Sequence, residues 1–221
     1  MTAAAALVMA KAPRPGTVKT RLHPLLGPAG CAALQAALIA HTTALTCGEG
    51  LPTFLAVDPP DQIAATRRLV PPGVRLFAQD AGHLGQRLTA AVREVFARHG
   101  GPLVVVGTDA PTLAPGLLRA AVTVLAGGAD VALGPALDGG YYLIGLRAPH
   151  TRVFELDPRL WSGDRVLAAT LALAERAGLA VELLTPLRDL DTPADAAAFL
   201  GDPALPAEIA DRLRPAEAPG C

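Results

Sequence analysis

Charged residues of two kinds are spaced so that they could do chemistry. Lys11, Arg14, Lys19 and Arg21 put four cations into eleven residues of Lys11-Ala-Pro-Arg-Pro-Gly-Thr-Val-Lys-Thr-Arg-Leu22. Pro13 and Pro15 stiffen this segment, and Gly16 lets a ligand come close to the backbone. Cations and backbone N–H groups converging on one point make a phosphate site. The whole chain carries a formal net charge of only -1, so the cluster is a local feature. Its plainer reading is a solvated basic loop. The segment has neither the Gly-x-x-x-x-Gly-Lys-Ser/Thr pattern nor Gly-x-Gly-x-x-Gly. P-loop hydrolases and dinucleotide-dependent dehydrogenases therefore lose their main support.

The second kind is acidic. Asp109 lies in Gly107-Thr-Asp-Ala-Pro-Thr112, directly after an apolar run. Far along the chain, Arg188-Asp-Leu-Asp-Thr-Pro-Ala-Asp195 supplies Asp189 and Asp191, which share one side of an extended segment. Carboxylates from separate strand ends, together with substrate phosphates, suit Mg²⁺ or Mn²⁺. We take Asp109 and Asp191 as the candidate metal ligands, with Asp189 the alternative to Asp191. The structural alternatives are a turn capped by Asp109 and a helix capped by Thr192 ahead of Pro193.

Three further segments carry candidate substrate contacts. Gln79-Asp-Ala-Gly-His-Leu-Gly-Gln-Arg-Leu88 offers Gln79, Gly85 and Arg87 to a base or ribose, or is simply a helix start. Asp138-Gly-Gly-Tyr-Tyr142 offers Gly139 and Gly140 as a bare backbone surface, with Tyr141 beside them. Asp138 could orient hydroxyls or act as a base, though an Asp-Gly pair also marks an ordinary turn. Trp161 is a packing residue or a pocket wall, and Ser162 or Asp164 can cap the helix after it. The five histidines are scattered without metal-ligand or nucleophile-activating spacing.

Elements of a particular kind must hold these loops. Apolar runs of strand length at Ala4 to Ala10, Thr53 to Val57, Val74 to Phe77, Leu103 to Val106 and Val131 to Leu133 alternate with helical stretches. Those stretches are Pro28 to Thr46, Pro60 to Leu69, Leu84 to Arg98 and Pro115 to Leu125. Such alternation predicts an α/β domain with a mainly parallel sheet covered on both faces. A strand at Tyr141 to Leu146, a helix at Gly163 to Ala177, a strand at Ala180 to Leu184 and a helix from Pro193 follow. We expect one domain over 1–200 and a loosely attached Pro/Ala-rich tail over 201–221, with one helical turn near Ala207 to Leu213. In such a sheet, ligands sit beyond the carboxyl ends of the strands, where the charged segments fall.

Composition narrows the classes. With 221 residues, 51% hydrophobic and 18% charged, the chain can build its own core. No broad basic surface is available for nucleic acid. Cys31, Cys47 and Cys221 are too few and too unevenly placed for a disulfide framework. The apolar start lacks the marks of a signal peptide, and no uninterrupted run reaches the roughly 18 apolar residues of a bilayer span. We expect a cytoplasmic protein without membrane insertion.

Read in order, Ala10-Lys-Ala-Pro-Arg-Pro-Gly-Thr-Val-Lys-Thr-Arg-Leu22, Leu84-Gly-Gln-Arg87, Gly107-Thr-Asp-Ala-Pro111, Asp138-Gly-Gly-Tyr-Tyr142 and Asp189-Leu-Asp-Thr-Pro193 resemble a bacterial glycosyltransferase-like family of unassigned function. The resemblance spans about residues 5 to 200. It implies a three-layer αβα fold of the GT-A, nucleotide-diphospho-sugar transferase type. More distantly, Lys19-Thr-Arg-Leu22 is similar to a segment of phosphoenolpyruvate or 2-phospholactate guanylyltransferases. Asp109 with Asp191 is similar to the metal pair of cytidylyl- and guanylyltransferases. The resemblance implies a transferase with nucleotide phosphates on Lys11 to Arg21, Mg²⁺ or Mn²⁺ at Asp109 and Asp191, and a small acceptor near Asp138 to Tyr142. Asp138 and Lys19 are then the candidate catalytic residues. The expected reaction is glycosyl transfer from a nucleotide-sugar. Its alternatives are nucleotidyl transfer with pyrophosphate release and non-catalytic nucleotide binding. One departure stands out: many GT-A enzymes carry Asp-x-Asp at the metal strand, whereas Thr108-Asp-Ala-Pro111 has one carboxylate.

Overall fold

The computed structural model describes residues 3–161 and 163–214. Ser162 and Cys221, considered above, lie outside them. Strands β1 (Ala5–Lys11), β2 (Thr53–Asp58), β3 (Arg75–Ala78), β4 (Leu103–Val106), β5 (Val131–Pro135), β6 (Tyr141–Leu146) and β7 (Val181–Leu183) form one sheet. Its order is β3-β2-β1-β4-β6-β5-β7. Every neighbouring pair is parallel except those made by β6, which runs antiparallel to β4 and β5. That reversal brings the start of β6, with Tyr141, to the edge where the parallel strands end.

The apolar alternation of the strands builds both faces of the sheet. Val104 and Val106 of β4 join one buried cluster, while Leu103 and Val105 join the other, so all four side chains are enclosed. Helices α1 (His23–Gly48) and α4 (Pro115–Ala126) cover the first face through Ile39, Leu118 and Leu125. On the second face, α3 (Leu84–His99) packs Leu88, Ala91, Val92 and Val95, and α5 (Val166–Arg176) adds Ala174. This is the three-layer αβα arrangement that the sequence predicts.

The segment Thr20–Gly48 has a mean hydropathy of 1.3 and is the one helical stretch among the described residues long and apolar enough to cross a membrane. A run-by-run reading of the sequence missed it, because Gln35, His41 and Thr42 interrupt the apolar residues. In the fold it breaks at Gly27 (φ 66°) and buries Leu34, Leu38 and Ile39 inside the domain.

Other expectations change. The stretch Pro60 to Leu69 is not one helix: a 3₁₀ turn (Pro60–Gln62), the single turn α2 (Ile63–Thr66) and another 3₁₀ turn (Arg67–Leu69) follow one another. The Arg67 guanidinium donates to the carbonyls of Val70 at 3.2 Å, Pro71 and Val74, which holds the chain in this tight path. Helix α5 starts at Val166 rather than Gly163, and its N-cap, Arg165, makes no side-chain cap bond. Asp164 therefore does not cap it. Helix α6 (Pro193–Leu200) begins as expected, with Thr192 Oγ1 accepting from the Asp195 amide at 3.2 Å.

Described residues past 200 are packed on the domain rather than loosely attached. Helix α7 (Ala207–Leu213) packs on α1 and α6, and its Ile209 and Leu213 are fully buried with Leu22, Cys31, Leu34, Leu190 and Phe199. The periodic pair Ile209 and Leu213, four apart on one helix face, was masked in the sequence by the surrounding Pro and Ala.

Candidate active site

A cleft of about 950 Å³ opens at the carboxyl ends of the parallel strands. Of the residues singled out from sequence, Lys11, Lys19, Arg21, Gln79, Arg87, Asp109, Asp138, Gly140, Tyr141, Trp161 and Asp191 line it, and so does Asp189. Arg14, Gly16, Gly85 and Gly139 do not. Arg14 lies 3.9 Å from Asp61 on the surface. Gly16 (φ 84°) makes an exposed turn. Gly85 is required by packing, since a Cβ there would lie 2.4 Å from the Phe154 carbonyl oxygen and 2.8 Å from Trp161 Nε1. Gly139 is required likewise: its φ is 92°, and a Cβ would lie 2.0 Å from the Asp164 carbonyl oxygen. Gly85 thereby seats Phe154 and Trp161, Gly139 seats Asp164, and neither glycine lines the cleft.

Lys19 organises the polar end of the cleft. It is the one non-glycine residue among those described with positive φ (49°), a conformation costing on the order of 1 kcal/mol for a residue with a Cβ. Leu22 N (2.8 Å) and Cys31 Sγ (3.4 Å) both donate to its carbonyl and hold the turn. Its side chain, only 4% exposed, reaches inward to Asp109 Oδ1 at 2.8 Å and donates to the Leu190 carbonyl at 2.5 Å. The Leu190 amide donates in turn to the Asp109 carbonyl at 2.7 Å. The loops after β1, β4 and β7 are thereby tied into one assembly.

The acidic residues behave differently from one another. Asp191 faces Arg21 at 2.8 Å, and this pair is well exposed. Among the described residues Asp189 has no ion-pair partner. Its Oδ1 is enclosed with no hydrogen bond. Burial pushes its carboxyl up to about 7, and the negative charges of Asp109 and Asp138 push the same way against the pull of Lys19. Asp189 is thus electrostatically coupled to Asp109, whose own ion pair is with Lys19. The sequence pattern could not choose between Asp189 and Asp191, because alternation along an extended strand puts both on one side. In the fold Arg21 pairs with Asp191 and not with Asp189. Among the described residues no three His, Cys, Asp or Glu side chains converge into a ready-made metal cage.

At the other end of the cleft, several expected ligand contacts serve the fold. Gln79 is buried and donates both amide protons to the sheet, to the carbonyls of Ala10 at 3.1 Å and Ala56 at 2.9 Å. Arg87 pairs with Asp58 at 3.0 Å and donates to Gln79 Oε1 at 3.3 Å. The Gln79 amide is thus committed to the sheet, while Arg87 lines the cleft with part of its guanidinium engaged by Asp58 and Gln79. Asp138 Oδ1 accepts from the Gly140 amide at 2.9 Å, an Asx turn that leaves its other oxygen for the cleft. Tyr142 is core: its ring lies over Gly134 and its hydroxyl donates to the Thr185 carbonyl at 2.9 Å. Tyr141 and Trp161 both pack against the second buried cluster and line the cleft, and among the described residues the Tyr141 hydroxyl and Trp161 Nε1 have no hydrogen-bond partner. Burial holds the Tyr141 phenol far above its ordinary range, so it remains a neutral group.

With this geometry in hand, likeness to known proteins can be weighed. The family described as an uncharacterized protein conserved in bacteria, DUF2064, matches residues 41–162. The chain belongs to DUF2064. That match holds Asp109 and Asp138 but not the Lys11–Arg21 segment or Asp189. No curated protein matches the chain.

Among solved structures, this DUF2064 member is similar to a protein of Desulfovibrio desulfuricans G20, provisionally named a nucleotide-diphospho-sugar transferase. The identity is 30% and the TM-score 0.74, over 90% of this chain and 87% of the other. It is also similar to CMP:2-keto-3-deoxy-manno-octonic acid synthetase complexed with CTP, at 16% identity and a TM-score of 0.51, over 89% and 96% of the two chains. A third is 4-diphosphocytidyl-2C-methyl-D-erythritol synthase of Anaerococcus prevotii DSM 20548, at 9% identity and a TM-score of 0.54, over 83% and 87%. The last two likenesses concern fold alone. The fold is that of the nucleotide-diphospho-sugar transferases and related nucleotidyltransferases.

Two residues of the site escaped the sequence reading. Gln35 of α1 and Thr108 are buried beside Asp109, and both line the cleft. A lone Gln between Leu34 and Ala36 was the only signal for the first, and adjacency to Asp109 the only one for the second.

Proposed function

We propose that this protein is a divalent-metal-dependent transferase acting on a nucleotide-activated substrate. The observation that carries the proposal is the enclosed, partnerless Oδ1 of Asp189, set against the negative charges of Asp109 and Asp138. Lys19 alone serves this group of carboxylates, and a divalent cation would relieve the burial and like-charge repulsion that raise the Asp189 carboxyl. Asp109 and Asp189 would hold Mg²⁺ or Mn²⁺, with substrate phosphates completing its shell in the absence of a third acidic ligand. When bound, such an ion supplies charge neutralisation of a departing phosphate.

The chain's own residues divide the remaining work. Lys11 and Arg21 are exposed at the cleft and suit the phosphates of a nucleotide. Arg21 would exchange Asp191 for phosphate as the ligand enters, at little cost because an exposed pair contributes at most about 1 kcal/mol. Lys19 is committed to Asp109 and Leu190 and acts as a fixed positive charge behind the carboxylate. Tyr141 and Trp161 give the acceptor an apolar wall that excludes water. Asp138, with one oxygen in its turn, has the other to orient an acceptor hydroxyl and take its proton.

The first reading is glycosyl transfer: the acceptor hydroxyl attacks the anomeric carbon of a nucleotide-sugar, and a nucleoside diphosphate leaves. A second reading, nucleotidyl transfer, is favoured by one observation. The carboxylates come singly from two strand ends, and the Asp-x-Asp of many GT-A enzymes is absent. There, a phosphate or phosphonate oxygen attacks the α-phosphorus of a nucleoside triphosphate and pyrophosphate leaves. The test is to incubate the protein and Mg²⁺ with nucleotide-sugars, and separately with nucleoside triphosphates and phosphorylated acceptors. Release of nucleoside diphosphate supports the first reading and release of pyrophosphate the second. Metal-independent nucleotide binding with neither product contradicts both.

A further inference from the structure

Asp109 is held by a chain of hydrogen bonds that begins inside helix α1. Gln35, 4% exposed, donates through Nε2 to the Lys11 carbonyl at 3.1 Å and to Thr108 Oγ1 at 3.2 Å. Both amide protons leave α1, one for the end of β1 and one for the loop after β4. A buried amide on an otherwise apolar helix face is costly unless its bonds are made elsewhere. Thr108 has one hydroxyl proton, and an amide NH₂ cannot accept it. The proton is therefore directed away from Gln35, to Asp109 Oδ1 at 3.2 Å. Lys19 Nζ reaches the same oxygen at 2.8 Å. Two donors thus fix Oδ1, while Oδ2 has no partner among the described residues.

We infer that Gln35 and Thr108 are positioning residues that select which oxygen of Asp109 meets a metal ion. Gln35 orients the Thr108 hydroxyl, and Thr108 and Lys19 together saturate Oδ1. Oδ2 is left as a single, pre-aimed ligand atom at the cleft. The inference rests on the metal reading above. Outer-shell partners of this kind typically change metal affinity by about 10–100-fold when removed. Gln35 is buried at the floor of the cleft with its amide committed to Lys11 and Thr108, so its effect on a metal ion passes through the Thr108–Asp109 link.

The test is a Mn²⁺ titration of the full chain followed by water-proton relaxation, alone and with a nucleoside diphosphate, beside thermal unfolding of the same samples. Gln35→Leu and Thr108→Val should each weaken Mn²⁺ binding by about 10-fold or more. The double variant should be no worse than either single one, because both cut one chain. Thr108→Ser keeps the hydroxyl and should keep the affinity. If Gln35→Leu does not fold, the Thr108→Ser and Thr108→Val pair decides alone. Normal Mn²⁺ affinity in Gln35→Leu and Thr108→Val, with only the melting temperature lowered, would overturn the inference and leave the metal reading intact. Absence of Mn²⁺ binding by the unaltered protein, with or without nucleotide, would overturn both.

Discussion

The loops after β1 and β3 look alike in sequence, yet the fold uses them in opposite ways. Each is polar, carries glycine and follows a strand. The loop after β1 sends Lys19 inward to a carboxylate of the cleft and leaves Lys11 and Arg21 exposed there. The loop after β3 turns its polar groups to the protein: Gln79 staples β1 to β2, and Arg87 locks onto Asp58. The difference lies in which backbone groups need partners. The ends of β1 and β2 leave carbonyls that Gln79 can satisfy, whereas Asp109 and Asp189 create a demand for positive charge. A polar residue beyond a strand end is therefore a ligand candidate only once its hydrogen bonds are accounted for.

That comparison can be broken in several ways. The largest effect should come from the carboxylate side. Asp109→Ala should lower turnover by at least about 100-fold, a barrier change of about 2.7 kcal/mol. Its melting temperature should fall as well, because Lys19, 4% exposed, loses its carboxylate partner, so turnover is compared at a temperature where the variant is folded. Near-normal kcat would remove Asp109 from the site. On the β3 side, Gln79→Leu should cost on the order of 2 kcal/mol of stability in urea unfolding, because two buried carbonyls lose their donor. Nucleotide affinity should stay unchanged when measured at a temperature where the variant is folded. A large affinity loss with intact stability would return Gln79 to the ligand-contact role.

A smaller effect, of opposite sign, is expected at Asp189. A carboxyl raised to about 7 in the folded protein binds more protons there than in the unfolded chain between about pH 4 and 7. Metal-free stability should then fall as pH rises through that window and level off above it. Asp189→Asn should be more stable than the unaltered protein at pH 8, and the difference should vanish below about pH 4. A pH-independent difference between the two proteins would contradict the assignment. The smallest effect belongs to Arg14, whose surface pair with Asp61 spans 3.9 Å. Arg14→Ala should change stability by less than about 0.5 kcal/mol and leave nucleotide affinity within about 2-fold. A 10-fold loss of affinity would extend the phosphate site to the outer part of the loop.

Much of the architecture was legible because it rests on periodicity. The β4 run Leu103-Val-Val-Val106 announces a strand covered on both faces, and Leu84 to His99 an amphipathic helix. What was hidden depends on partners distant in sequence. Arg67 breaks a helix by reaching carbonyls after it, and α7 is ordered by a surface that α1 and α6 supply. In the site, residue types identified the strand-end loops, yet Gly85 and Gly139 pack against chain segments that sequence cannot bring near them. The proposed preference for Asp189 over Asp191 rests on where Arg21 reaches, and the role inferred for Gln35 on a contact 73 residues away at Thr108. Burial and hydrogen-bond partners are properties of the fold, and they separate a ligand from a staple.

The central claim is that Asp109 and Asp189, rather than Asp109 and Asp191, supply the protein's grip on a divalent ion. Isothermal titration of Mn²⁺ into the unaltered protein and into Asp109→Asn, Asp189→Asn and Asp191→Asn, at fixed nucleoside diphosphate, tests it directly. Binding should be lost in the first two variants and retained within a few-fold in the third. Retention in Asp189→Asn, with loss in Asp191→Asn, would contradict the account.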